Sequence, residues 1–127
     1  MEIFTPPRRD PAKKYPLLIL NDGQDSEAVQ VKAALERLVT EKRIPEIIVA
    51  GVTAGDRMQE YGVAFRHDFH GRGKLAKAYA DYVCKELVPY LHYRYPITGD
   101  PAQRGVAGYS LGGLSAIDIV WNHPDLF

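Results

Sequence analysis

Five residues near the end of the chain, Gly108-Tyr109-Ser110-Leu111-Gly112, fit the pattern G-x-S-x-G. A serine in this pattern is typically a nucleophile when a strand turns directly into a helix at that residue. Only three of the five positions are fixed, so the match is informative only if the flanking segments are a strand and a helix. An apolar, strand-like segment from Arg104 to Tyr109 precedes Ser110, and an amphipathic segment from about Leu111 to Asn122 follows it. The sequence therefore predicts a nucleophilic serine at Ser110.

The glycines around Ser110 have a steric reason. At such a corner the strand and the helix approach so closely that side chains two positions on either side would clash. Gly108 and Gly112 remove those side chains, and Gly113 widens the clearance. The first turn of the helix leaves backbone N–H groups unpaired, so we expect the Leu111 N–H to stabilise negative charge on a reacting oxygen. The alternative is a glycine-rich turn that contains an incidental serine.

A second N–H donor of this kind is expected in the loop that follows the first buried strand, Leu17 to Leu20. That loop reads Asn21-Asp22-Gly23-Gln24-Asp25. Gly23 gives its backbone freedom, and we expect the Gln24 N–H to be the second oxyanion donor. The alternative is a plain strand-to-helix turn, which Asp-Gly favours in any case.

The elements that must position these groups alternate between strand and helix patterns, as in a parallel sheet covered by helices. We expect extended segments at Glu2–Thr5, Leu17–Leu20, Glu46–Thr53 and Arg104–Tyr109, and helices from an N-cap at Ser26 to about Arg43, from about Lys74 to a kink or end at Pro89, and from about Leu111 to Asn122. The segment 54–72 shows no periodicity, and long loops of this kind are often functional. The predicted fold is α/β, with a mostly parallel sheet and helices on both faces.

Composition excludes several classes of protein. Sixteen basic side chains balance sixteen acidic ones and form no basic stripe, which argues against a nucleic-acid partner. Apolar runs such as Leu17 to Leu20 are far too short for a membrane span. The single cysteine, Cys84, excludes an internal disulfide or a multi-cysteine zinc site and is typical of a small core residue. The sequence does not assign a compartment, although a cytoplasmic location is favoured because no signal peptide is visible.

Other polar and aromatic residues have weaker interpretations. His67, Asp68 and His70 have a grouping that a metal site could use, but a solvated loop is favoured because no further ligand cluster is evident. Arg57 and Arg66 could line a cleft for an anionic substrate, and this too is the less favoured interpretation. Most tyrosines between positions 79 and 95 are expected to be packing residues with their hydroxyls near water.

Together, several stretches resemble the "Putative esterase" family of α/β-hydrolases, which includes enterochelin esterases, feruloyl esterases, S-formylglutathione hydrolases and mycolyltransferases. The resemblance lies in residues 3–7, 15–23, 86–90 and 108–113, of which the last is the most specific. Asp22-Gly23 favours the enterochelin-esterase-like members. The resemblance implies a serine nucleophile at Ser110, oxyanion donors from Leu111 and Gln24, a small-molecule ester as substrate, and neither a cofactor nor a metal.

The chain departs from the family at the other two members of the catalytic triad. Family members carry the acid and the histidine after the serine. Here only 17 residues follow Ser110, and His123 lies thirteen positions along the predicted helix, about 20 Å away. Proton transfer needs a distance of about 3 Å, so His123 is excluded as the base. Asp118 lies two turns along the same predicted helix and is also directed away from Ser110. We therefore expect residues 1–127 to be an incomplete α/β-hydrolase domain, the front half of the fold, truncated after the helix that follows Ser110.

Two hypotheses about function remain open. In the first, the chain is part of a serine esterase that forms an acyl-enzyme on Ser110, with the triad acid and histidine missing from these residues. In the second, it is a non-catalytic, truncated module that pairs with another copy through the open edge of the strand before Ser110. The missing triad members discriminate between them, because Ser110 without a base is a poor nucleophile.

Overall fold

A computed structural model describes residues 1–8, 10 and 12–127. These residues form the strands β1 (Glu2–Phe4), β2 (Leu17–Asn21), β3 (Ile48–Val52) and β4 (Arg104–Ala107), and the helices α1 (Val31–Thr40), α2 (Arg57–Glu60), α3 (Ala76–Tyr82), α4 (Val88–Arg94) and α5 (Leu111–Asn122). The strand order is β1-β3-β2-β4. The short β1 is antiparallel to β3, whereas β2 is parallel to both of its neighbours, so the predicted, mostly parallel sheet is confirmed. In the described ranges no helix is both long and apolar enough to cross a membrane.

The two central strands are buried on both faces. Leu17 and Ile19 of β2, with Ile48 of β3, pack into a core that includes apolar residues of α3, α4 and α5. Side chains alternate along a strand, so Leu20 and Val49 point to the opposite face, and they are buried as well. Burial on both faces requires cover on both faces, and the expected layered α/β architecture is confirmed.

The first helix starts later than predicted. Ser26 does not cap it: the Ser26 hydroxyl is buried and lies 2.7 Å from the Gly23 carbonyl oxygen and 2.5 Å from the Glu2 carboxylate. The chain then passes through a turn to Gln30, which has a left-handed backbone with φ of 54°, and α1 begins at Val31. The prediction was wrong because the serine hydroxyl serves contacts to the loop and to β1, which the local pattern does not reveal.

Pro89 disturbs its helix without ending it. A π-helical turn, Val83–Leu87, separates α3 from α4, and the Val88 N–H donates to the carbonyl of Val83, five residues back. Pro89 follows in the first turn of α4, where its missing N–H would have interrupted a regular α-helical ladder. The predicted disturbance is confirmed, and the helical path continues to Arg94.

The long segment between positions 54 and 72 contains one helix that the sequence pattern did not indicate. Asp56 caps α2, since its carboxylate accepts hydrogen bonds from the N–H groups of Met58 and Gln59 at 3.1 and 3.3 Å. This helix has only four residues, too few for a periodic pattern to be visible. It matters for the site because it presents Arg57.

Candidate active site

Ser110 forms the corner between β4 and α5. Its backbone has φ of 50° and ψ of −120°, a conformation that residues with a side chain rarely adopt. Strain of this kind is often found at active sites, where it holds a side chain in a required position. The residue is exposed to solvent, as a nucleophile must be.

The glycines around Ser110 make three close approaches possible. A Cβ on Gly108 would lie 2.6 Å from backbone atoms of Gly112, and a Cβ on Gly113 would lie 3.0 Å from the Gly108 oxygen. The expected crowding between the strand and the helix is therefore confirmed at these two positions. At Gly112 the obstacle is different, because a Cβ there would lie 2.9 Å from the Asp22 carboxylate. This glycine leaves room for an acidic side chain from the neighbouring loop.

Asn21 joins the end of β2 to the first turn of α5. Its side-chain amide nitrogen donates to the Gly112 carbonyl at 2.7 Å, and its amide oxygen accepts from the Tyr79 hydroxyl at 2.5 Å. Asn21 is fully buried, so both bonds are shielded from water. They keep the loop after β2 beside the corner at Ser110.

Asp22 is a buried carboxylate in this loop, with a side chain that is only 4% exposed. Arg57 binds it in a forked pair, with Nε 2.8 Å from Oδ1 and Nη2 3.1 Å from Oδ2, and this hydrogen bonding raises the pKa of Arg57. The Asp22 N–H donates to the Tyr61 hydroxyl at 2.9 Å. Because the Arg57 guanidinium is paired with the Asp22 carboxylate, the structure gives no support to Arg57 as a contact for an anionic substrate.

Gln24 lies at the surface, on a short turn of 3₁₀ helix that spans Gly23–Asp25. Gly23 is required by packing, since a Cβ there would lie 2.3 Å from the Gly51 backbone of β3, and the structure does not give it a left-handed backbone. The expected role of Gly23 in backbone freedom was therefore wrong. No group in the described ranges accepts a hydrogen bond from the backbone N–H of Gln24 or Leu111, the two expected oxyanion donors.

Two buried tyrosines, Tyr61 and Tyr79, contact the loop after β2 through their hydroxyl groups. The rings of Tyr61 and Tyr79 meet edge to face with centroids 5.2 Å apart, and burial raises the pKa of both hydroxyls. The Tyr79 hydroxyl binds Asn21 and does not lie near water, which corrects the expectation for this tyrosine. Sequence reasoning missed these partners because the bonds join residues 39 and 58 positions apart.

Asp68 stabilises its own loop. Its carboxylate accepts hydrogen bonds from the N–H groups of His70 and Arg72, each at 2.9 Å, and from the Arg72 guanidinium at 2.6 Å. These donors hold the pKa of Asp68 below its usual value. His67 and His70 are exposed beside it. The arrangement favours the solvated loop over the metal site.

The acidic and basic residues that follow Ser110 serve other contacts. The Asp118 carboxylate accepts from the Ala64 N–H at 2.9 Å and thereby ties the 61–72 loop to α5. His123 follows the last residue of the unbroken α5, at the end opposite Ser110. Neither residue is in a position to take the Ser110 proton, as the sequence predicts.

Two clefts among the described residues do not include Ser110. One, of about 710 Å³, is lined by Gln24, Ser26, Glu27 and Thr53 among others, and the other, of about 340 Å³, is lined by Glu60 and Tyr82 among others. Ser110 itself is exposed to solvent. Its surroundings here are the corner, the Asp22 loop and the side chain of Arg57.

Residues 1–127 match the model of a family described as "Putative esterase". The chain belongs to this family. It is 25% identical over 117 residues to the uncharacterized protein YbbA of Bacillus subtilis, covering 89% of this chain and 46% of YbbA. It is 28% identical over 122 residues to an endo-1,4-beta-xylanase/feruloyl esterase of Xylanibacter ruminicola, covering 91% of this chain and 16% of that protein.

A solved structure with the same fold is the enterochelin esterase of Shigella flexneri. It superposes with a TM-score of 0.79 at 25% identity and covers 98% of this esterase-family chain and 29% of that protein. The resemblance drawn from the sequence is thus confirmed. The chain spans about half the length of YbbA and a smaller share of the other two proteins. Family membership and these neighbours support a hydrolase function.

Proposed function

We propose that the protein containing this chain is a serine carboxylic-ester hydrolase that acts on a small-molecule ester. The observation that carries the proposal is the corner at Ser110, where a serine with a strained backbone is exposed at the start of α5 in a chain of an esterase family. The loop after β2 supports it, because Asn21 fastens that loop to the same corner.

The reaction proceeds through an acyl-enzyme. The Ser110 oxygen attacks the carbonyl carbon of the ester while a general base takes its proton, and the carbonyl oxygen becomes an oxyanion. The N–H groups of Leu111 and Gln24 stabilise this oxyanion. Collapse of the intermediate expels the alcohol, and water then attacks the acyl-enzyme and releases the acid. These steps require no metal or cofactor, and the base and its orienting acid come from outside this chain.

Hydrolysis of p-nitrophenyl acetate by the complete gene product tests this proposal. We expect Ser110→Ala to lower kcat/KM by at least about 10³-fold, because the nucleophile is lost. Thr40→Ala, which removes another hydroxyl from an exposed helix position, should leave kcat/KM unchanged. The 127-residue chain alone should be no faster than its own Ser110→Ala variant. An unimpaired Ser110→Ala gene product would overturn the proposal.

A second candidate function is a non-catalytic module that pairs with another copy of itself. It is favoured by β4, which ends the described sheet with one side unpaired. Directly after it, α5 exposes Leu114, Ile117 and Trp121, whose residue exposures are 45, 68 and 82%. A strand edge beside exposed apolar side chains is a surface on which a second chain pairs readily.

A further inference from the structure

The buried carboxylate of Asp22 lies close to the place where the proposed reaction develops negative charge. Its Oδ2 would be 2.9 Å from a Cβ on Gly112, two residues after Ser110, and Gln24 follows it by two positions. This carboxylate opposes a second negative charge nearby, and because the Asp22 side chain is itself buried, water screens its charge only weakly. A cation paired with Asp22 would offset this repulsion.

Arg57 is placed to do this. Its guanidinium makes two hydrogen bonds to the Asp22 carboxylate, and Nη2 also lies 3.3 Å from the Tyr109 carbonyl oxygen at the corner. That carbonyl accepts from the N–H groups of Gly112 and Gly113 as well, so it belongs to the first turn of α5. One side chain from α2 thus contacts both loops that carry the expected oxyanion donors.

We infer that Arg57 is a positioning residue for the oxyanion site: it neutralises Asp22 and holds the Asp22 loop against the corner at Ser110. This inference rests on the proposed esterase function. Arg57 acts through Asp22 and Tyr109 and does not itself bind the substrate. Its effect therefore appears in the transition state, where the oxyanion forms, and much less in the binding of the uncharged ester.

Steady-state kinetics of the complete gene product with p-nitrophenyl acetate test the inference. Arg57→Gln removes the neutralising charge and is expected to lower kcat by about 10- to 100-fold while KM changes by less than about threefold. Arg72→Gln is the matched control. It removes the Arg72 guanidinium that donates one hydrogen bond to Asp68 in the neighbouring loop, and it should leave both constants unchanged.

Two further variants separate a charge effect from damaged folding. In Asp22→Asn/Arg57→Gln the pair is neutral, so kcat should be at least about tenfold higher than in Arg57→Gln. Arg57→Lys restores the charge without the fork and should recover at least about threefold. Thermal unfolding of each variant gives its folded fraction, by which kcat is corrected. If Arg57→Gln fails to fold, kcat of the double variant and of Arg57→Lys is compared with the wild type, and both are expected to be within about tenfold of it.

The inference is overturned if folded Arg57→Gln keeps kcat within twofold of the wild type, or if the double variant is as slow as Arg57→Gln. It is likewise overturned if only KM rises. Ser110→Ala, measured in parallel, separates this failure from failure of the proposed function. An active Ser110→Ala contradicts the esterase proposal itself, whereas an inactive Ser110→Ala with a normal Arg57→Gln contradicts the role of Arg57 alone.

Discussion

At the scale of single residues, the corner at Ser110 depends on the absence of side chains around it. The positive φ of Ser110 costs on the order of 1–3 kcal/mol, which the surrounding contacts must offset. Gly108 has the smallest clearance of the glycines around this corner, because a Cβ added at this position would overlap the carbonyl group of Gly112. A backbone neighbour has no flexible end that could move aside.

Gly108→Ala should therefore destabilise the fold by about 1–3 kcal/mol, as overpacking does, and lower activity by displacing the corner. Gly99→Ala is the control, because nothing lies within 4 Å of a Cβ at that position. Urea unfolding of both variants measures the effect. Equal midpoints for Gly108→Ala and Gly99→Ala would show that the helix and strand are not in close contact here.

The sequence was informative about residues whose roles are local. Ser110 and its glycines lie within six positions of one another, so a short pattern reveals the corner. Arg57 and Asp22 are 35 positions apart, and nothing in either neighbourhood indicates that they pair. Contacts of this kind follow from the three-dimensional arrangement of the loops, which a local pattern does not carry.

At the scale of elements, the helix that follows Ser110 was predicted within its observed bounds, whereas α1 was not. Leu111–Asn122 begins at a glycine-rich corner and ends before Pro124, so both ends have local causes. The start of α1 is determined by Ser26 and its contact to Glu2, which is distant in sequence. Helix ends can be predicted where the signal is local, and the prediction fails where a tertiary contact determines the end of the helix.

The helical segment that includes α3 carries a charged triplet with a predictable pH dependence. Asp81 pairs with Lys77 at 2.5 Å and Lys85 at 2.7 Å, and these partners lower its pKa from 3.8 to about 2. A carboxyl with a lowered pKa in the folded state stabilises the fold above its unfolded pKa. That contribution is lost as the pH falls through about 2.

Asp81→Asn should thus lower Tm at pH 7 by a small amount, since the pairs lie at the surface, and should make no difference near pH 2. Scanning calorimetry of the wild type and the variant at both pH values measures this. The difference at pH 7 should also shrink in 1 M NaCl, which screens the pairs. A difference that is the same at pH 2 and pH 7 would contradict the assignment.

At the scale of the whole molecule, the sheet order β1-β3-β2-β4 leaves β4 at one edge of the described residues. The alternation of strand and helix patterns predicted the parallel core, because strands buried on both faces are apolar throughout. It did not predict which charged groups the loops bring together. The open edge of β4, together with the apolar residues that α5 exposes, including Trp121, is the feature from which self-association is expected.

Sedimentation velocity of the 127-residue chain at micromolar concentrations tests self-association. If the second candidate function holds, the chain sediments as a dimer, and Trp121→Glu converts it to a monomer by placing a charge on the exposed face of α5. Tyr93→Glu, at an 86% exposed aromatic position on α4, should leave the dimer intact. A wild-type chain that remains monomeric over the whole concentration range would contradict this candidate.

The nucleophilic role of Ser110 is tested most directly by covalent labelling. The complete gene product is incubated with a fluorophosphonate, and the modified peptide is identified by mass spectrometry. We predict a single adduct on Ser110, absent from Ser110→Ala, because an activated serine oxygen displaces fluoride from phosphorus. Labelling that persists in Ser110→Ala, or an adduct on a different residue, would contradict the account.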